Sequence, residues 1–294
     1  MSIFCKVAGI TFRYDAEQPL RFAAGCEVFR GFGVTDVQNA DFEIVIRDTK
    51  HHEKIEATKN KFIAQGEELV DFSWSVAQTD DGTDCITVDY DNNPTCHWVQ
   101  LQLGERGGTL RICRRDVADT EVNPYIFPLF NLMLSRILNR REDFLIHCSL
   151  VDYEGVGYLF TAPSGTGKST MARLWRDTVG ATIINDDMLA IRCDANGNAV
   201  GYNIPMNYYN DAPKSVKISS LCLICQSAQN YIKPVTGAEA VMRIMTNTIY
   251  HPTDKEIISR QLSAVGHVCA GAKVFEVGFR PDGDIVRDIL QQKL

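Results

Sequence analysis

Residues Ala162–Ser169 read Ala-Pro-Ser-Gly-Thr-Gly-Lys-Ser. The apolar run Val156–Thr161 precedes them, and a run of helical character, Thr170–Trp175, follows. No other stretch restricts the fold as strongly, because it demands strand, glycine loop and helix in immediate succession. Such a loop turns backbone N–H groups inward, and the helix N-terminus adds partial positive charge, so the unit cradles the phosphates of a nucleotide. On this reading Ser164, Gly165, Thr166, Gly167, Lys168, Ser169 and Thr170 contact the nucleotide. Lys168 reaches its terminal phosphates, and the Ser169 hydroxyl holds a magnesium ion. ATP and Mg2+ are therefore the expected cofactors. The general pattern G-x-x-x-x-G-K-[ST] opens with Gly where this chain has Ala162. Ala tolerates positive φ poorly, so the first turn is expected to use a conformation open to an L-residue.

Phosphoryl transfer also needs a metal partner and a group that positions the nucleophile. Asn185-Asp186-Asp187 follows the apolar run Ala181–Ile184, which sets two carboxylates at the end of a strand. Neighbouring side chains on extended backbone diverge. One Asp can face the metal while the other faces an acceptor hydroxyl. His147 lies in Phe144-Leu-Ile-His-Cys-Ser-Leu, the strand before the loop's own strand. By itself, a His in an apolar strand reads most simply as a hydrogen-bonded core residue.

Together these residues resemble the catalytic domain of the HPr serine kinase/phosphorylase family. That family sets a His on the strand before the loop, then G-x-S-G-x-G-K-S, then a strand ending in adjacent aspartates. Here His147, Ala162–Ser169 and Asp186-Asp187 follow in that order, and the separation of His147 from Lys168 fits. The likeness spans the last 150–170 residues or so, extending weakly through the helix start at Thr236–Ala240 and the Phe275–Ile289 tail. ATP-dependent phosphoenolpyruvate carboxykinases share the nucleotide core. The resemblance implies a catalytic set of Asp186, Lys168 and His147. Asp186 is then base or orienter for the acceptor hydroxyl, and Ser169 and Asp187 are the metal partners. The acceptor is a peptide or protein serine or a hydroxyl-bearing small molecule. Related kinases assemble, so a homo-oligomer is a further expectation. The family also carries a Gly-rich segment with a Glu after the aspartates, whereas residues 201–210 contain no acid before Asp211. Reverse, phosphorylase-type activity is therefore not expected. A carboxykinase-like lyase and a non-catalytic nucleotide-binding switch stay open as alternatives. Tyr202, Asn207, Tyr208, Tyr209 and Asp211 are candidates to line the acceptor site, because functional residues concentrate on loops. Arg243, Arg260 and Arg280 could help bind phosphate, although surface ion pairing is the simpler role for each.

The expected fold is α/β, α+β overall. A β-rich accessory or substrate-selecting region spans residues 1–120, and a P-loop kinase-type domain with a mixed sheet spans 121–294. Strands are expected at Val7–Tyr14, Phe42–Arg47, Val70–Val76, Cys85–Tyr90, His97–Leu103 and Thr109–Arg114, with one wet face where polar and apolar residues alternate. A buried helix at Tyr125–Leu138 follows the start signal Asn123-Pro124, with Arg136, Arg140 and Arg141 suited to its C-terminal dipole. Strands at Phe144–Val151, Val156–Phe160, Ala181–Ile184, Met188–Arg192, Leu221–Cys225 and Lys273–Gly278 then alternate with helices at Gly237–Thr246, Asp254–Cys269 and Asp282–Gln292.

Net charge is −7 and the isoelectric point about 5.4, without a basic stripe, so nucleic acid is excluded as an expected partner. No apolar run approaches the ~20 residues that span a bilayer, and the first residues lack a secretory h-region; a cytoplasmic location is expected. The ten cysteines are then reduced and mostly buried. Cys222 and Cys225 form the lone C-x-x-C. In a strand they face opposite sides and cannot share a metal, so core packing is the better reading.

Overall fold

Residues 2–16, 31–35, 37, 39–63, 72–93, 95–115, 127–206 and 212–292 are described in the structure, a computed structural model. The chain divides into two units. The first holds residues 1–137, 205–212 and 251–255, and the second holds 138–204, 213–250 and 256–294. The expected boundary near Thr120, the helix start at Asn123-Pro124, and Asn207, Tyr208, Tyr209 and Asp211 lie outside the described residues. Two large mixed sheets with few helices make the architecture α+β.

The first unit is built on an eight-stranded mixed sheet in the order β1-β2-β3-β8-β7-β6-β5-β4. Its strands are β1 (Ser2–Val7), β2 (Ile10–Ala16), β3 (Phe42–Asp48), β4 (Lys59–Ile63), β5 (Phe72–Gln78), β6 (Asp84–Tyr90), β7 (Cys96–Leu103) and β8 (Gly107–Arg114). β3 runs parallel to both β2 and β8, and the remaining neighbours are antiparallel. The single strand expected at Val7–Tyr14 is instead a hairpin. Ala8 and Gly9 take φ of 50° and 73°, which turns the chain within two residues. Such a primed turn matches the right-handed twist of the strands it joins, and Ala-Gly is a weak signal for it. The expected wet face of β6 and β7 does carry polar residues, but its centre is covered. Gln100 accepts from the Ile55 N–H (2.9 Å) and donates to Ile55 O (3.0 Å), while Lys54 pairs with Asp89 and lies over the Trp98 ring. Helix α1 (Leu129–Arg140) meets the apolar face, with Phe130 edge-on to Phe12 at 6.2 Å. It is buried from Leu129 to Asn139, as expected. Arg136 departs from its expected role at the helix dipole, because it is buried in an ion pair with Asp84.

The second unit carries a nine-stranded mixed sheet. Its strands are β9 (Phe144–Tyr153), β10 (Val156–Thr161), β11 (Thr182–Asn185), β12 (Met188–Cys193), β13 (Ala199–Asn203), β14 (Ser215–Gln226), β15 (Tyr231–Pro234), β16 (Thr248–Ile249) and β17 (Lys273–Phe279). The main path runs β10-β9-β12-β13-β14-β17-β15, with β11 and β16 on β9. β10 also pairs in parallel with β14, so the path closes on itself. Helices α2 (Lys168–Val179), α3 (Gly237–Met245), α4 (Lys255–Gly271) and α5 (Asp284–Gln291) complete the second part. Alternation along the strands divides the core between two faces. Ile146, Cys148, Leu150, Leu221 and Leu223 pack with Ile244 of α3 and Val265 of α4. On the other face Tyr158, Phe160, Cys222, Ile224 and Val277 pack with Met171 and Trp175 of α2 and Ile285 of α5. Cys222 thus belongs to the core; its burial pushes the thiol pKa up to about 12. The nine described cysteines are free thiols. Among the described residues no helix is long and apolar enough to cross a membrane.

Candidate functional site

β-Branched and aromatic residues carry β10 into the core, and its last residue, Thr161, is fully buried. The chain then leaves the sheet. Gly165 and Gly167 adopt φ of 78° and 116°, in the region that L-residues avoid. Ala162 is absent from the positive-φ residues and is 3% exposed, so the first turn is made without left-handed backbone. Gly167 is the N-cap of α2 and brings no side-chain cap. The first-turn N–H groups of a helix have no partner within it, and α2 begins at Lys168, directly after the loop. Met171, Ala172 and Trp175 fasten the helix to the sheet, and Gly180 ends it in left-handed conformation, its N–H bonded to Arg176 O at 3.0 Å.

Lys168 is 6% exposed and folds back over the loop, donating to Ala162 O at 2.9 Å and Pro163 O at 3.2 Å. Desolvation lowers its pKa from the usual lysine value, opposed by the charges of Cys148 and Asp187. Thr166 closes the loop's outer turn, its hydroxyl donating to Pro163 O at 2.9 Å. Ser164 and Gly165 are exposed; Ser169 and Thr170 are half-buried in the first turn of α2.

β9 delivers His147 to the same place. Its backbone N–H donates to Asn247 O at 3.0 Å, and its carbonyl accepts from the Thr161 hydroxyl at 2.9 Å. His147 pairs with Met188 across β9 and β12. Asp186 and Asp187 form the bend just before Met188. The Cys148 N–H donates to Asp187 O at 3.0 Å, and the Asp187 N–H donates to Asn185 Oδ1 at 3.0 Å. The bend is thereby tied to β9, and His147 Nε2 stands 3.6 Å from Asp187 Oδ1. Burial lowers the His147 pKa, Lys168 lowers it further, and Asp187 opposes both. The imidazole is accordingly held neutral at neutral pH. Lys168, His147 and Asp187 thus form one electrostatically connected group beside the loop, with Asp186 half-buried at the same bend. A neutral imidazole, two carboxylates, an ammonium and a helix N-terminus can bind an anion, hold a hard cation and move a proton.

Tyr202 lies on β13 opposite Ala190. It therefore shares a sheet face with His147 and Met188. Arg243 pairs with Glu239 and Glu276, Arg260 with Glu256, and Arg280 with Asp282. These arginines are held in ion pairs, the simpler of their two expected roles. Sequence reasoning gave no role to Asn185 or Asn247, which fix the aspartate bend and the His147 backbone. Asn185 adjoins the acidic pair and was within reach of inspection, whereas Asn247 is a hundred residues from His147 in the chain.

No family model matches the chain, and no curated protein matches it. Among solved structures, the Hpr(Ser) kinase/phosphatase from Coxiella burnetii shows a distant likeness, at 10% sequence identity and a TM-score of 0.31. The alignment covers 51% of this chain and 97% of that one.

Proposed function

We propose that the chain is an ATP- and magnesium-dependent kinase that transfers the γ-phosphoryl group to a hydroxyl, on a peptide or protein serine or on a small molecule. The observation that carries this reading is the meeting of Lys168, His147 and Asp187 at the mouth of a loop with two left-handed glycines and a helix start. Residues 164–170 hold the phosphates through backbone N–H groups. Lys168 exchanges its carbonyl partners for phosphate oxygens and offsets the charge that spreads over them during transfer.

The Asp187 carboxylate and the Ser169 hydroxyl are hard oxygen donors, which suits magnesium. Among the described residues no group of three His, Cys, Asp or Glu gathers for a metal, so Asp187 and Ser169 would be the protein's two ligands to it. An ion held by Asp187 and Ser169 would supply positive charge to offset the charge of the phosphates. Asp186 orients the acceptor hydroxyl and takes its proton as the oxygen attacks the γ-phosphorus and the bond to the β,γ-bridging oxygen breaks, releasing ADP. His147 Nε2, 3.6 Å from Asp187 Oδ1, lies beside the phosphate site.

The purified chain, given γ-labelled ATP, Mg2+ and a panel of serine peptides and small alcohols, is expected to label an acceptor. Lys168→Ala is expected to lower turnover by about 10²-fold or more, the scale of removing a charge-stabilising group. Asp186→Asn is expected to keep nucleotide binding while losing transfer. Full transfer by Asp186→Asn overturns its assigned role, and no ATP binding by the wild-type chain overturns the whole reading.

A further inference from the structure

His51 and His97 face each other in the first unit, with ring centroids 5.7 Å apart and planes crossed at 71°. They come from distant parts of the chain, and each is set in place by its own local device. β7 pairs Cys96 with Arg114 and Trp98 with Cys113, which makes His97 the extra residue of a β-bulge. A bulge breaks the alternation of faces and re-aims a side chain. His97 is thereby turned to the same side as Trp98 and Gln100. The segment after β3 crosses that side, with Ile55 bonded to Gln100 and Lys54 over the Trp98 ring. His51 belongs to this segment and opens its single 3-10 turn, His51–Glu53. Glu53 closes the turn: its carboxylate accepts from the Lys50 N–H at 2.8 Å and from the Thr49 hydroxyl, and its own N–H donates to Lys50 O at 3.0 Å.

We propose that His51 and His97 form a binding site for a divalent transition-metal ion of the zinc, copper or nickel class, with one nitrogen of each ring on the ion and water completing its shell. The site lies within the first unit and is independent of the kinase reading. Imidazole is the commonest side-chain ligand for such ions, and it suits zinc, copper and nickel, whereas magnesium takes oxygen donors.

The spacing agrees with that occupant. Zinc stands about 2.1 Å from an imidazole nitrogen, so two rings on one tetrahedral ion have centroids roughly 5.2 Å apart. The observed 5.7 Å is within a small side-chain rotation of that value. Access agrees as well, since His51 is exposed and His97 half-buried. Among the described residues neither imidazole makes a hydrogen bond or an ion pair, so ligation displaces no protein partner. The Arg115 charge is felt at His97, but its guanidinium donates to Asn93 O at 2.6 Å, Asp91 O at 3.1 Å and Tyr90 O at 3.5 Å, and so occupies neither ring. An ion here fastens the segment after β3 to β7 at a second point besides the Ile55–Gln100 bonds.

The test follows the histidine side-chain NMR signals of tag-free, reduced protein as zinc chloride is added, with magnesium chloride in parallel. The signals of His51 and His97 are expected to move together and to saturate at one ion per chain, and magnesium is expected to leave them in place. His51→Gln and His97→Gln are each expected to weaken zinc at least about tenfold. His52→Gln, on the same turn, is expected to bind as wild type does and shows that the turn itself tolerates the change. Unmoved His51 and His97 signals at millimolar zinc overturn the proposal, as does wild-type affinity in His97→Gln. Shifts spread evenly over all six histidines, or an equal response to magnesium, mean an adventitious ion only and overturn it too.

Discussion

His251 is the residue whose surroundings carry the clearest thermodynamic signature. It is 6% exposed and sits edge-on to Trp74 (4.9 Å between ring centroids) and Phe62 (5.7 Å). Its Nδ1 lies 3.2 Å from the Ser135 hydroxyl, and the Arg136 guanidinium donates to its backbone carbonyl at 3.3 Å. Burial, with the nearby Arg136 charge, pushes its pKa down to about 4. The unfolded chain binds this proton near pH 6.5, so the native state holds fewer protons between those values. Stability from the neutral ring is fully present above pH 6.5 and is lost as pH falls toward 4, by about 3 kcal/mol over the span. Urea unfolding at pH 7 and pH 4.5 is expected to show wild type losing more stability on acidification than His251→Phe. An equal loss in the two proteins removes His251 as the cause. The same reasoning separates His251 from His147. His147 is also shifted down, by burial and Lys168 and against Asp187, but it stays half-buried.

At the scale of elements, α2 is fixed by one side chain above all. Trp175 is fully buried, 4.3 Å from Tyr158 and 5.9 Å from Phe160 between ring centroids. Its indole N–H has no hydrogen-bond partner among the described residues. Trp175→Ala is expected to cost about 3–5 kcal/mol in chemical denaturation, the range for removing a large core aromatic. Trp175→Phe is expected to cost much less, because the lost volume is smaller and the orphaned N–H goes with it; equal costs for the two variants would mean that the N–H is satisfied and valuable. This unit of strand, loop and helix was legible in the sequence because each part carries its own signal: Val156–Thr161 as an apolar strand, Gly165 and Gly167 as the turn, and Met171, Ala172 and Trp175 as one helix face. Elements without such signals were not. β13 (Ala199–Asn203) and β15 (Tyr231–Pro234) are short, and β4 (Lys59–Ile63) is mostly polar at the edge of its sheet. β14 extends to twelve residues where only Leu221–Cys225 reads as a strand, because Ser215, Lys217 and Ser220 break its apolar pattern. A cavity of about 540 Å³ beside the loop, lined in part by Thr166, Gln226, Ser227 and Phe279, was illegible for a different reason. Gln226, Ser227 and Phe279 meet Thr166 only through the parallel pairing of β14 with β10 and β17, and no local pattern encodes a non-local pairing.

Across the whole molecule, both units are assembled from three separate stretches of chain. The phosphate-site residues and the cavity belong to the second unit: His147, Ala162–Thr170, Asp186, Asp187, Gln226–Ala228 and Phe279–Pro281. A ligand that binds only the native state stabilises it by RT ln(1 + [L]/Kd), about 2.7 kcal/mol at a hundredfold excess over Kd. Amide exchange slows where local opening disrupts the site. Saturating Mg·ATP is therefore expected to slow exchange in the loop, the first turn of α2, the Asn185–Met188 bend and the turns after β14 and β17. Strands β6, β7 and β8 of the first unit are expected to exchange as in the free protein. The measurement is hydrogen–deuterium exchange with peptide-level mass spectrometry, with Lys168→Ala as the control that loses the protection. Protection in β6–β8 as strong as that at the loop would mean that the first unit contributes to binding, and the site as drawn from the second unit alone would be incomplete.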